Sequence, residues 1–453
     1  METRSVFKAM RVALIFIVAQ FLASTPYAES SPSPGFPPQF ELPPGMPDMT
    51  PGCLRYDQLA SRSQPDALTL PTCDTLFPEM GGVRAALADN GIGFEAASVG
   101  NFYYDLLGHN AHPQLYAGQD PTWGQQTVLN LTYDLSRVGF TPGAQLVIGA
   151  NLINSDFTVT QPDQATMWQF VVNQPLYDGR VVLQYGYYSL LNEFYGLFLG
   201  ASPTSSALGP LSIIPSEVGM SMLTPTPGMS ILIKDPSKHF YTHFAIARSQ
   251  SPGGLNVDVA ENPTGFRLTV PGARMLFVNE FGYRSTPQEG HEVDLRIGAI
   301  YNFSHFSQFT SPHDSSSNYG GYVNAKYQIT QPYAGMPEGL YANARFDYAP
   351  PDRNLFTSDM AFTLYYLGPF KGRPLDMVSL AYSKTFFSKD ARTIFGMNPG
   401  GVAANSTGIS LSYAARVIRG VYFINTLTYT KNPTVTPRSP NSLVLQTSVA
   451  IGF

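Results

Sequence analysis

The sequence predicts an all-β protein, a transmembrane antiparallel β-barrel of about sixteen strands. Polar and apolar residues alternate in many segments of roughly eight to thirteen residues, which is the period of a strand. Charged residues make up only 13% of the chain, and 26 Tyr and 30 Phe dominate its aromatic content. Soluble domains carry about 25% charged residues. The charge is therefore low for a soluble domain, and the aromatic content is typical of β structure.

The N-terminal residues, 1–28, have the layout of an export signal. A basic start is followed by an apolar run over 12–23 and by small residues up to Ala28. Such a run is too short to span a membrane and is typical of a secretory signal. We expect 1–28 to be a signal peptide and the mature protein to lie in the bacterial outer membrane.

Residues 29–78 contain eleven prolines and are predicted to form an extended N-terminal segment in the periplasm. The only cysteines, Cys53 and Cys73, lie in this segment, which we call the arm. In an oxidising compartment a disulfide between them is the first interpretation, and two free thiols are the alternative. A metal site is disfavoured, because two thiolates without a nearby His do not complete a zinc shell.

A short helix is predicted over 80–90, "MGGVRAALADN", and is closed by Gly91. The strand pattern then begins and is clearest over 292–303, where apolar residues such as Leu295 alternate with polar residues such as Arg296. Only an extended chain separates these residues into two faces. The barrel domain is therefore predicted over 79–453. Its segments are 92–104, 127–136, 143–153, 165–173, 180–188, 229–235, 238–248, 273–284, 292–304, 319–331, 338–349, 357–367, 375–387, 405–417, 420–431 and 442–453.

The segment properties favour a membrane barrel over a soluble sheet. The segments approach the ~10 residues that cross a bilayer when tilted, and Tyr and Phe recur near their ends. One face of each segment is almost free of charge, as lipid requires. In lipid, the backbone N–H and C=O groups at the edges of an open sheet would have no hydrogen-bond partners, so the sheet must close into a barrel. The final apolar stripe, which ends on Phe453, looks like the signal read by the barrel-assembly machinery of outer membranes.

Several stretches resemble blocks of the carbohydrate-selective porins, the OprB family. "EMGGVRAALADNGIGFEA" (79–96) is similar to the opening block, and "VDLRIGAIYN" and "ARFDYAPPDRNLFTSDM" are similar to later blocks in family order. The resemblance implies a sixteen-stranded barrel through which carbohydrates diffuse passively. The solutes would be monosaccharides or related small polyols, and inward-folded loops would narrow the water-filled channel. The arm is additional to the family pattern.

Alternation also predicts which polar side chains face the lumen. A neutral, hydroxylated solute needs paired donors and acceptors rather than charges of one sign. We therefore expect mixed charges to enclose the narrowest section, with Glu193 at the root of the loop 189–228. The alternative is that these side chains are only solvated or bridge neighbouring strands. The predicted pore-lining residues are Glu193, Glu280, Arg284, Glu292, Asp294, Arg296, Asn324, Lys326, Gln328, Asn343, Arg345, Asp347 and Arg416.

Other classes of function receive less support. The net charge of −5 gives no reason to expect nucleic acid as a partner, and no catalytic or cofactor motif occurs, so no enzyme and no cofactor are predicted. A structural or accessory barrel in the envelope or in polysaccharide secretion, a general non-selective pore and a soluble secreted β-protein are the alternatives. The expected partners are carbohydrate solutes and outer-membrane lipid. Both a homo-trimer and a monomer are compatible with the sequence.

Overall fold

The computed structural model describes residues 55–63, 74–110, 112–159, 161–195, 214–396 and 400–453. The expected signal peptide, 1–28, lies outside the described residues. So do Cys53 and Cys73 of the expected disulfide.

Sixteen antiparallel strands form one closed barrel, in which each strand pairs with its neighbours in the chain and β1 pairs with β16. The predicted fold is confirmed: the strands form a single ring and not two stacked sheets. The strands are β1 Ile92–Asp105, β2 Thr122–Asp134, β3 Gln145–Ser155, β4 Gln164–Leu176, β5 Val181–Tyr188, β6 Thr226–Lys234, β7 Phe240–Arg248, β8 Met275–Ser285, β9 Val293–Asn302, β10 Asn318–Gln328, β11 Gly339–Tyr348, β12 Phe356–Leu367, β13 Met377–Phe387, β14 Asn405–Ile418, β15 Val421–Lys431 and β16 Ser442–Gly452.

The two faces of the wall follow the predicted alternation. On β9, Leu295 and Ile297 are 46% and 58% exposed on the outside, whereas Arg296 and Asn302 are buried on the inside. An exposed apolar exterior of this kind is suited to hydrocarbon.

The largest boundary difference is at β2, which begins at Thr122 rather than at 127. Its outward side carries polar residues, and two of them are satisfied on that side. Gln125 donates to the Ser98 hydroxyl at 3.1 Å, and the hydroxyls of Ser98 and Thr127 lie 2.9 Å apart. These polar groups interrupt the apolar stripe by which the sequence reveals a strand.

The connections divide the barrel into two ends. The turn end carries connections of at most ten residues, which are 135–144, 177–180, 235–239, 286–292, 329–338, 368–376 and 419–420. The loop end carries 106–121, 156–163, 189–225, 249–274, 303–317, 349–355, 388–404 and 432–441. The start of β1 and the end of β16 both lie at the turn end.

The helices that lie wholly within the described residues are short. They are α1 Val83–Asp89, α2 Leu190–Glu193, α3 Ile214–Glu217, α4 Leu255–Glu261 and α5 Lys389–Phe395, with 3-10 turns at Met80–Gly82, Leu135–Val138 and Pro287–Glu289. The first 3-10 turn and α1 together occupy the predicted helix 80–90. Within the described residues, no helix has the length and apolar character needed to cross a membrane.

The described parts of the connection between β5 and β6, residues 189–195 and 214–225, fold into the bore, and we call them the inward loop. Leu190, Leu191 and Phe194 of its first half are fully buried. They belong to one apolar cluster with lumen-facing wall residues such as Val147 and Leu276. Burial of apolar surface therefore holds the loop inside the barrel.

Candidate functional site

The inward loop begins with a capped helical turn. The Ser189 hydroxyl accepts from the backbone N–H of Asn192 at the start of α2, and it donates to the carbonyl of Ser221 at 2.9 Å. Ser and Thr at this position satisfy a free helical N–H, so the turn is stable locally. The same hydroxyl joins the beginning and end of the loop, and it places Phe194 and Tyr195 within the bore.

Two predicted pore-lining residues bind the backbone of this loop. Arg296 Nη1 donates to the Phe194 carbonyl at 2.7 Å, and Asn324 Nδ2 donates to the Tyr195 carbonyl at 3.2 Å. The Tyr195 hydroxyl donates to Asp347 Oδ2 at 2.9 Å, so a third predicted residue contacts the loop. The inward loop is thus anchored to the wall formed by β9, β10 and β11.

Charges of both signs alternate around this contact. Asp294 lies between Arg284 and Arg296, with an N–O distance of 3.2 Å to each. Arg345 lies 3.5 Å from Asp347 and 2.9 Å from Asp359, which β12 contributes. The two clusters contain carboxylates and guanidinium groups in close pairs, so neither sign dominates.

Glu280 is held by two tyrosines that lie over glycines. The hydroxyls of Tyr241 and Tyr322 donate to its two oxygens at 2.8 and 2.6 Å. The rings occupy the space that a Cβ would fill at Gly282 and Gly298, respectively. Glycine at these two positions therefore lets the rings lie against the wall, where both hydroxyls reach one carboxylate.

Glu193 lies at the end of α2, at the root of the inward loop. Its carboxylate is 3.9 Å from His243 Nε2, and both side chains are mostly buried. The His243 ring stacks on Phe194 with the centroids 4.1 Å apart. This places Glu193 beside the β7 wall, two and three strands away from the anchors on β9 and β10.

The remaining predicted residues lie nearer the turn end. Lys326 Nζ is 2.5 Å from Glu292, which also accepts from the Tyr341 hydroxyl at 3.2 Å. Asn343 is buried on the inward face of β11, and Gln328 is buried at the end of β10.

Arg416 is paired with the arm. Its guanidinium is 2.7 Å from Asp74, which also accepts hydrogen bonds from the Tyr422 hydroxyl and from the backbone N–H of Gly420. Asp74 precedes Arg416 by hundreds of residues, and the sequence carries no signal for this contact.

The carboxyl group of Glu217 holds the second half of the inward loop against the barrel. Glu217, in α3, accepts from the backbone N–H of Phe356 at 2.9 Å at the loop end. Its burial raises the pKa of this carboxyl to about 8. The ionised form is therefore disfavoured in the folded loop near neutral pH.

Alternation predicts which charged side chains face the bore, but it does not identify several of their partners. Asp359 was hidden in an irregular segment. Tyr195 lies in a loop, and residue type alone does not separate Tyr241 and Tyr322 from the aromatic residues that face lipid. Alternation alone could have placed the two strand tyrosines inside.

Solved structures with the same fold include the high-pH structure of Pseudomonas putida OprB, with a TM-score of 0.70 at 17% identity. That match covers 84% of this chain and 98% of the other. The low-pH structure of the same protein has a TM-score of 0.52 at 16% identity, and the match covers 85% of this chain and 99% of the other. Salmonella typhi OmpF in complex with daunomycin has a TM-score of 0.50 at 8% identity, and the match covers 81% of this chain and 99% of the other. These likenesses establish the barrel fold.

No curated protein sequence matches the chain at a significant level. The family model of the carbohydrate-selective porins, OprB family, matches residues 124–453. This match includes strands β3 to β16 and the whole inward loop. The chain therefore belongs to the carbohydrate-selective porins of the OprB family, transport channels of the bacterial outer membrane.

Proposed function

We propose that this porin passes monosaccharides or related small polyols by passive diffusion, and that the inward loop and the β8–β11 wall form its selective section. The observation that carries the proposal is the anchoring of the loop by Arg296, Asn324 and Asp347. These contacts bring a backbone rich in acceptors and a tyrosine against a wall of paired charges.

The chemistry of the wall suits a neutral solute. A sugar that leaves bulk water needs donors and acceptors to replace its hydration. Paired carboxylates and guanidinium groups supply both without a net field that would trap an ion. Glu193 and the predicted lining residues on β8 to β11 would contribute to this section, with the turn end facing the periplasm.

Liposome swelling tests the proposal. We expect glucose and arabinose to enter faster than disaccharides, and glucose to enter faster than gluconate, an anion of similar size. Rates that follow molecular size alone would indicate a general pore and would overturn the selective function.

A matched pair of variants refines this test. Asp294→Asn leaves Arg284 and Arg296 without their shared carboxylate, so we expect gluconate entry to rise relative to glucose entry. The control is Asp178→Asn, because this carboxylate is 95% exposed in a turn. An unchanged ratio in Asp294→Asn would argue against a selective role for this wall.

A further inference from the structure

The first described stretch of the arm, 55–63, binds the inside of the barrel at the turn end. The carbonyl of Leu59 accepts from the Thr132 hydroxyl and from Gln145 Nε2, and the Ala60 carbonyl accepts from the same amide at 2.9 Å. Thr132 and Gln145 are buried on the inward faces of β2 and β3. The stretch 55–63 of the arm therefore lies within the mouth of the bore.

The next residues continue this contact. The backbone N–H of Ser61 donates to Glu95 at 2.9 Å on β1, and that of Arg62 donates to Gln145 Oε1 at 3.1 Å. The Arg62 side chain uses one N–H to bind the Gly143 carbonyl at 2.7 Å. Its guanidinium is exposed and, among the described residues, makes no other side-chain hydrogen bond.

The second described stretch of the arm binds the neighbouring strands. Besides the pairing of Asp74, the backbone N–H of Leu76 donates to the Gly452 carbonyl at 2.8 Å. Arg84 Nη2, in α1, donates to the carbonyl of Phe453 at 2.8 Å. The two stretches together occupy the sector of the mouth that runs from β14 through the β16–β1 junction to β3.

A cavity of about 530 Å³ lies beside this occupied sector. Its wall comes from β4 to β8 and includes Asn173, Gln184, Ser230 and Tyr241, and Arg62 borders it from the arm. The cavity reaches Glu193 of the inward loop, so it joins the turn end to the narrowed section.

The described lining of this cavity is nearly balanced in charge. It carries four cationic side chains and three carboxylates, together with two histidines. The cations are Arg62, Lys234, Lys238 and Arg284, the carboxylates are Glu193, Glu280 and Glu289, and the histidines are His239 and His243. One change of sign at Arg62 therefore reverses the formal charge of the lining.

We propose that the two described stretches of the arm, 55–63 and 74–78, form a second constriction at the turn end and that Arg62 is a specificity-determining residue of the conduit. The arm confines solutes to the β4–β8 side of the mouth. A guanidinium presents several donors in a fixed plane, which suits adjacent hydroxyls of a neutral solute and opposes small cations. The inference rests on the proposed function only in taking the bore as the route.

The test measures currents of the full chain in planar lipid bilayers under a KCl gradient. In Arg62→Glu we expect the reversal potential to shift toward K⁺ preference, with the K⁺/Cl⁻ permeability ratio rising about threefold or more. Arg62→Lys should retain the wild-type reversal potential. The control is Arg55→Ala in the same stretch, because Arg55 pairs with Asp89 on α1.

A second variant, Gln145→Ala, distinguishes the loss of arm docking from the change of charge at Arg62. It removes three hydrogen bonds that anchor the arm and leaves the formal charge of the protein unchanged. This variant releases Arg62 together with the stretch 55–63, so it should increase conductance and shift the ion preference by less than Arg62→Glu, which also adds a carboxylate to the lining. If Arg62→Glu matches Gln145→Ala in both readouts, or matches the wild type, the assignment to Arg62 is wrong. Ion preference is measured without sugar, so failure of the sugar-selective function would leave this result intact.

Discussion

The hydroxyl of Tyr195 anchors the inward loop through a side chain, so a single substitution can remove this contact. It donates to Asp347 at 2.9 Å, and both residues are at most 4% exposed. The ring has other contacts: it meets Tyr322 edge-on at 5.2 Å and lies under Arg345 at 5.9 Å. Because Tyr195→Phe keeps these ring contacts, it removes the hydrogen bond alone.

The expected cost follows from the charge of the acceptor. A hydrogen bond to a charged group contributes about 1.5–3 kcal/mol when both partners are buried. Since about 1.36 kcal/mol corresponds to a factor of ten, the released state of the loop should become roughly ten to 150 times more populated. The barrel should remain intact, because no strand pairing is altered.

Single-channel recording measures this change as more frequent transitions between conductance levels. Heat-modified migration on SDS gels checks that the barrel is still folded. The control is Tyr301→Phe, which alters a ring on the lipid-facing side that is 42% exposed. Recordings of Tyr195→Phe that equal those of the wild type would refute the anchoring role.

Three further predictions concern stability. The pKa of Glu217 is raised from 4.5 to about 8 in the folded state, so the free energy of unfolding should fall as pH rises from about 4.5 through 8. Thermal unfolding between pH 5 and 9 measures this dependence, which Glu217→Gln should weaken. Leu295→Arg places a cation on the lipid-facing wall and should cost about 2–4 kcal/mol in urea unfolding from vesicles; a cost near zero would argue against lipid contact. Gly298→Ala inserts a methyl group where the Tyr322 ring lies and should cost about 1–3 kcal/mol in the same assay, whereas an unchanged midpoint would show that the ring can move freely.

The barrel could be predicted because a membrane wall imposes one rule on every strand. Each residue faces either lipid or the bore, so alternation recurs in all sixteen strands, and closure follows from the cost of an unpaired edge. The prediction was least accurate where outward groups are polar, as at Gln125 and Thr127 on β2. There the side chains satisfy one another, and the pattern of residue types is lost.

The candidate site could be predicted only in part. Alternation places Arg296 and Asn324 on the inward side, but both donate to backbone carbonyls of the inward loop, and any residue type could supply those carbonyls. The partner of Arg416 is likewise remote, because Asp74 lies in the arm. Contacts between distant segments depend on the closed fold and leave no local pattern in the sequence.

The most direct test of the central claim is the effect of glucose on the K⁺ current through single channels of the wild-type protein. A selective section that binds sugars weakly predicts that glucose reduces the current to a saturating level, and that Asp294→Asn raises the concentration needed. A current that falls only in proportion to the conductivity of the bulk solution would contradict a sugar site in the bore.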